Sequence, residues 1–206
     1  MTETPILHEY APSGNCYKIR LTAALLGQPI ERRPYDILRG ETRTEDFLAS
    51  VNANGRIPVL QIGARFLPES NAACHWLADG SPLIPADRFD HADMLRWMFF
   101  EQYSHEPNIA TLRFWLAFVG EATLSAEQRA QIGAKRTAGE AALALMAGEL
   151  ERRDWLVGAA PSLADICLFA YTHVAGEGGF DLARWPAIGR WIDRVKALPG
   201  YVPIED

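Results

Sequence analysis

Over its first eighty residues the chain alternates short apolar runs with amphipathic segments, the pattern of strands and helices taken in turn. Residues 6–10 (ILHEY) read as a first strand. Ile19, Leu21, Ala23, Ala24, Leu25 and Leu26 give residues 15–26 the content of a buried helix, and Gly27 followed by Pro29 ends it. A second strand is expected near residues 30–35. Residues 36–43 carry Gly40 and charge without periodicity and read as a loop, and a short helix over 44–51 precedes the turn Asn52-Ala53-Asn54-Gly55. Val59-Leu60-Gln61-Ile62 and Arg65-Phe66-Leu67 flank Gly63-Ala64, a two-residue connection of the hairpin kind. A helix from Ser70 to about Ala78 is stopped by Asp79-Gly80-Ser81-Pro82. The predicted order is strand, helix, strand, helix, strand, strand, helix.

Beyond Pro85 the strand signals vanish and long helical patterns take over. Residues 89–118 are apolar at helical spacing but interrupted by Pro107, which lacks an amide donor and should kink or split the helix. Residues 125–153 read as a second long helix, with Ser125 and Gln128 spaced as a capping box. Ser162 and Asp165 open another, a pair assigned to folding, and residues 185–198 form the last helix before Pro199-Gly200. The class is therefore α+β. A first domain spans residues 1–80, a linker 81–87, and an all-helical domain 88–206.

Composition narrows the functions. A chain of 206 residues, 49% of them apolar, is long enough to bury a sizeable core. A formal net charge of −6 argues against nucleic-acid binding, which needs a basic surface. No apolar stretch approaches the ~20 residues of a membrane span, and the start has neither a basic nor an apolar leader region, so a cytoplasmic protein is expected. Cys16, Cys74 and Cys167 are odd in number and far apart, which implies no disulfide framework. The five histidines never fall at metal-ligand spacing, so no metal is expected. Gly176-Glu177-Gly178-Gly179 follows a helix rather than a strand, so no nucleotide is expected either.

Three short strings carry candidate chemistry. Ser13-Gly14-Asn15-Cys16 lies between the first strand and first helix, where helix-start amides favour a thiolate and a hydroxyl donates to sulfur. An ordinary thiol has a pKa of ~8.5, so a downward shift of one or two units makes the thiolate dominant at neutral pH. Ile57-Pro58 opens the third strand, a place that tolerates proline, and Arg56 beside it suits a carboxylate. Glu69-Ser70 opens the third helix; Ser70 offers hydroxyl and amide to a carboxylate, and Glu69 offers a carboxylate to an ammonium group. Together they suit a small anionic peptide thiol. Ser13 and Ser70 also serve as plain helix caps, and Glu69 as a dipole partner. The aromatic segment 99–115 contains Tyr103 and Arg113, candidate contacts for a second substrate, although aromatics at helical spacing more commonly form core or dimer packing.

The strings SGNCYKIRLTAALLG, NANGRIPVL, LPESNAACHWLA and SLADICLFAY, in this order, resemble the cytosolic glutathione transferases of serine type over nearly the whole length. The resemblance implies a thioredoxin-like N-terminal domain, a helical C-terminal domain, a homodimer, and glutathione with a small electrophile as substrates, an activity serving detoxification. It places the activating hydroxyl at Ser13 and makes the Ile57-Pro58 bond cis, with the Ile57 backbone pairing with the cysteinyl unit of glutathione in the manner of an added strand. It gives the γ-glutamyl group to Glu69 and Ser70 and the glycyl carboxylate to Arg56. The thiolate would meet its electrophile in a cleft between the domains. Two alternatives stand beside it: a non-catalytic binding or regulatory protein on the same fold, and a thiol-disulfide oxidoreductase using Cys16.

Overall fold

In the computed structural model, which describes residues 3–206, the chain forms two compact units. One runs through Ile84 and takes in Leu198–Asp206; the other is Pro85–Ala197.

The first unit carries β1 (Ile6–Glu9), α1 (Gly14–Leu25), β2 (Glu31–Pro34), α2 (Glu45–Ser50), β3 (Val59–Ile62), β4 (Arg65–Pro68) and α3 (Ser70–Leu77), in the order predicted. The strands form one sheet in the order β2-β1-β3-β4. β1 and β2 are parallel and the other pairs antiparallel. Charged, exposed β2 ends on Pro34 at the open edge, a composition that discourages further pairing. Central β1 instead buries Leu7, His8 and Glu9. A carboxylate tolerates that position only when paired, and Glu9 is held by Arg20, at 2.5 Å, and by Arg32. In place of the loop expected over residues 36–43, two short 3-10 turns, Ile37–Arg39 and Glu41–Arg43, meet at Gly40. The Asp36 carboxylate organises the first by accepting the Leu38 and Arg39 amides.

Residues 198–206, which the sequence pattern gives to the helical domain, pack with the first unit instead. The reason lies on α1. Tyr17 donates to the Val202 carbonyl at 2.7 Å, and Arg20 donates to the carbonyls of Ile204 (2.7 Å) and Ala11 (3.0 Å). Gly200 permits the close approach: a Cβ there would come within 2.7 Å of the Ala24 carbonyl.

The second unit contains α4 (Arg88–Phe100), α5 (Glu106–Arg113), α6 (Ala126–Leu150), α7 (Leu163–Thr172) and α8 (Pro186–Lys196). The interruption expected around Pro107 takes the form of a wide turn. α4 runs into α5 through a wide turn at Glu101–His105, where the Glu106 amide reaches back five residues to the Glu101 carbonyl. Pro107 thereby falls in the first turn of α5, where a missing donor matters least, and the Asn108 side chain donates to the Ser104 carbonyl at 2.7 Å. Wholly buried α7 is the centre of the unit. Its Asp165 carboxylate accepts from the Ser162 amide and hydroxyl, the Leu156 amide and the Trp191 indole, tying α7 to α8 and to the segment before it. Burial raises the Asp165 pKa in spite of these four bonds.

Candidate functional site

Strand register brings the three predicted strings to one end of the sheet. His8 faces Val59 across the antiparallel β1–β3 pair, and Val59 faces Pro68 across β3–β4. The exit of β1 towards Ser13, the Ile57-Pro58 entry to β3 and the Glu69-Ser70 exit of β4 therefore lie together. The Ile57–Pro58 bond is cis, as the resemblance implies. Ile57 itself stands just outside β3, half-buried, with Pro58 buried behind it.

Ser13 is the N-cap of α1, in extended conformation, and its side-chain oxygen accepts from the Cys16 amide at 3.4 Å. That bond uses a lone pair and leaves the hydroxyl proton available to a ligand sulfur. The cap and the thiol-activating roles are therefore compatible. Cys16 is unsuited to chemistry: it is wholly buried, its sulfur accepts the Tyr10 amide at 3.4 Å, and desolvation pushes the thiol up to about 12. It fills space behind the loop.

At the start of α3 the roles differ from plain capping. Glu69, not Ser70, occupies the N-cap position, with φ 74° and ψ 111°, a backbone state that side-chain-bearing residues seldom adopt. Its exposed carboxylate makes no capping bond. Ser70 is the first helical residue and is buried; its hydroxyl donates to Asn15 Oδ1 at 3.2 Å. One bond thus joins the start of α1 to the start of α3.

Sequence reasoning missed the group beneath that bond. Lys18 is wholly buried, and its ammonium donates to Asn15 Oδ1 (2.7 Å), Ser70 Oγ (3.3 Å) and Asn71 Oδ1 (3.3 Å). The signal available was a lysine inside the apolar face of a helix with no solvent-facing stripe, since nine of the twelve α1 residues are buried.

Of the remaining candidates, Arg56 stands just before Ile57, and Tyr103 and Arg113 lie in the second unit. Arg56 is exposed, with its carbonyl held by Asn52 Nδ2 at 2.9 Å. Tyr103, in the second unit, is 88% exposed. Arg113, in the same unit, is buried, pairs with Glu177 at 2.9 Å and lies over the Phe118 ring at 4.9 Å. Among the described residues no cluster of three metal-ligating side chains occurs, and no helix is long and apolar enough to cross a membrane.

Residues 12–79 match the family model for the glutathione S-transferase N-terminal domain, and residues 97–199 that for the glutathione S-transferase C-terminal domain. The crystal structure of a glutathione S-transferase from Pseudomonas fluorescens is 47% identical, with a TM-score of 0.93, covering 99% of this chain and 100% of that one. A glutathione S-transferase-like protein of Fusarium is 28% identical over 90% of this chain and 85% of its own length. A maleylacetoacetate isomerase of Rhizobium meliloti is 27% identical over 91% and 89%. With both domain models matched in order, and a solved relative at that identity aligned end to end, the chain belongs to the glutathione S-transferase family.

Proposed function

We propose that this protein is a cytoplasmic, homodimeric glutathione transferase of serine type. It binds glutathione at the shared end of the sheet, activates the thiol at Ser13, and delivers the thiolate to a small electrophile. The observation that carries this reading is the Ser70–Asn15 hydrogen bond at 3.2 Å, which fixes the anion-binding start of α3 against the helix that carries Ser13.

In this reading the γ-glutamyl carboxylate takes the Ser70 hydroxyl and amide, and its ammonium group takes the Glu69 carboxylate. The cysteinyl backbone pairs with Ile57, and Arg56 meets the glycyl carboxylate. The thiol then lies at the α1 N-terminus, where the Ser13 hydroxyl and the helix amides favour the ionised sulfur. The thiol proton leaves to solvent, the sulfur lone pair forms the bond to the electrophilic carbon, and a leaving group or π-electron pair departs. The rate gain comes from more thiolate and from holding it near its target. Because the relatives include an isomerase, the electrophile is tested broadly, with activated aryl halides, unsaturated carbonyls and hydroperoxides. Tyr103 and Arg113 remain the proposed second-substrate contacts.

The dimer is supported by Phe89, Phe99 and Tyr103, which stay 76%, 72% and 88% exposed on and just after α4. Light scattering at micromolar concentration should give about twice the 22.9 kDa chain mass. Retention on immobilised glutathione together with turnover of at least one electrophile supports the transferase. Retention without turnover of any of them would point to a binding protein.

A further inference from the structure

We propose that Lys18 is a positioning residue for anion recognition: through Ser70, Asn15 and Asn71 it sets a buried positive charge behind the place where the γ-glutamyl carboxylate binds. The inference rests on the glutathione reading above and deepens it.

A lysine that is 0% exposed has given up its hydration. Such burial is costly unless each N–H finds an acceptor, and here three side-chain oxygens meet the three ammonium protons, at 2.7, 3.3 and 3.3 Å. Those three oxygens belong to groups at the starts of α1 and α3. An anion hydrogen-bonded to Ser70 stands one bond length, ~2.7 Å, beyond a hydroxyl that is itself 3.3 Å from the ammonium. At that range, in a part-buried setting, the attraction exceeds thermal energy severalfold.

The ammonium also shapes the cradle. Donation from Lys18 into Ser70 Oγ polarises the hydroxyl and makes it a better donor. In this structure that proton points to Asn15 Oδ1, and it is the proton a carboxylate would take over. The same cation holds the Oδ1 ends of Asn15 and Asn71 towards itself, which fixes the orientation of both amides.

The alternative is that Lys18 only joins α1 to α3. The test compares wild type, Lys18→Met and Lys18→Arg by calorimetric titration with glutathione and with S-methylglutathione, by steady-state kinetics, and by the ultraviolet absorbance of bound thiolate against pH. Lys18→Met should raise Kd for both ligands about tenfold or more and raise KM for glutathione in parallel, with kcat and the pKa of the bound thiol nearly unchanged, while Lys18→Arg recovers part of the affinity. A folded Lys18→Met protein with wild-type Kd overturns the proposal, as does a shifted thiol pKa at unchanged Kd. Should Lys18→Met not fold, Asn71→Asp sets a carboxylate beside the ammonium without removing it; a similar loss of affinity is expected, and undiminished affinity overturns the proposal. If wild type binds neither ligand, it is the glutathione reading that fails, and the proposal with it.

Discussion

The Ser13 side-chain oxygen accepts the Cys16 amide at 3.4 Å, so the hydroxyl caps α1 with a lone pair while keeping its proton for a ligand. Ser13→Ala separates the two roles. Losing so long a capping bond should cost stability only about 0.5–1 kcal/mol. Losing the donor to sulfur should raise the pKa of bound glutathione by about one unit, worth ~1.4 kcal/mol, and slow conjugation roughly tenfold at neutral pH. The deficit should shrink as pH rises and the thiol ionises without help. A pH–rate profile checks this, and a profile identical to wild type would leave Ser13 as a cap alone.

Cys16→Ser should leave conjugation essentially intact, because the wholly buried thiol, pushed up to about 12 by desolvation, is neutral at physiological pH and out of reach of a disulfide partner. Intact-mass measurement of wild type after exposure to oxidised glutathione should show no adduct at this position. An adduct mapped to Cys16, with activity lost in the serine variant, would establish thiol exchange instead.

Glu69 combines an unfavourable backbone state with an exposed carboxylate, a combination that makes sense if function retains it. Strain of this kind costs about 1–3 kcal/mol, and glycine relieves much of it where alanine does not. Glu69→Gly should therefore unfold at higher urea concentration than Glu69→Ala. Both should bind glutathione more weakly by ~1.5–3 kcal/mol, the loss of a charge-assisted hydrogen bond. If the two variants had equal stability, the strain argument would fail; if calorimetry found wild-type affinity in both, the γ-glutamyl site would be elsewhere.

Element order, the hairpin, the helix starts and the three site strings were legible because each depends on local chemistry: alternation, capping residues, glycine and proline. What escaped depends on partners distant in sequence. Lys18 looks like a surface lysine until α3 brings Ser70 and Asn71 over it, 52 and 53 positions away. The tail reads as a helical-domain ending until Tyr17 and Arg20 claim its carbonyls, more than 180 positions away. Pro107 was read correctly as a missing donor. Its effect takes the form of a single wide turn, which moves it into a first helical turn.

His8 gives the first unit a pH dependence. It is wholly buried in β1, with Tyr35 Oη and Gln61 Oε1 each 2.9 Å from its ring nitrogens. Gln61 Oε1 has no proton to give, so the ring donates from Nε2, and in its neutral form accepts from Tyr35 at Nδ1. Desolvation holds its pKa below 6.5, helped by the nearby Arg33 charge and opposed by the Gln61 bond. The unfolded chain therefore takes up a proton before the folded one does. The stabilisation is complete above the unfolded pKa and declines as pH falls through 6.5 towards the lowered folded value, by at most ~1.4 kcal/mol per pH unit. Urea titrations between pH 8 and 5 should show that decline in wild type and a flatter profile in His8→Phe. Parallel profiles would remove His8 as the cause.

The tail should act as a clasp on α1. Truncation after Leu198 removes the acceptors for the Tyr17 hydroxyl (2.7 Å) and for one Arg20 nitrogen (2.7 Å), both on buried residues. A buried donor left unsatisfied costs about 1–3 kcal/mol, and the loss of packing over α1 adds to it. Gly200→Ala supplies a subtler version, because its Cβ would meet the Ala24 carbonyl at 2.7 Å in a backbone region, φ 85°, that alanine resists. Both variants should unfold at lower urea concentration, the truncation more severely. Tyr17→Phe, which deletes the bond to the Val202 carbonyl and keeps the ring, should lose less, on the order of 1 kcal/mol for that bond. Because α1 also carries Ser13, Asn15 and Lys18, hydrogen exchange of its amides is the discriminating measurement. Faster exchange throughout α1 in the truncated chain, with α6 and α7 unchanged, would confirm a clasp specific to the first unit, whereas protection left at wild-type level would show that the tail merely rests on the helix.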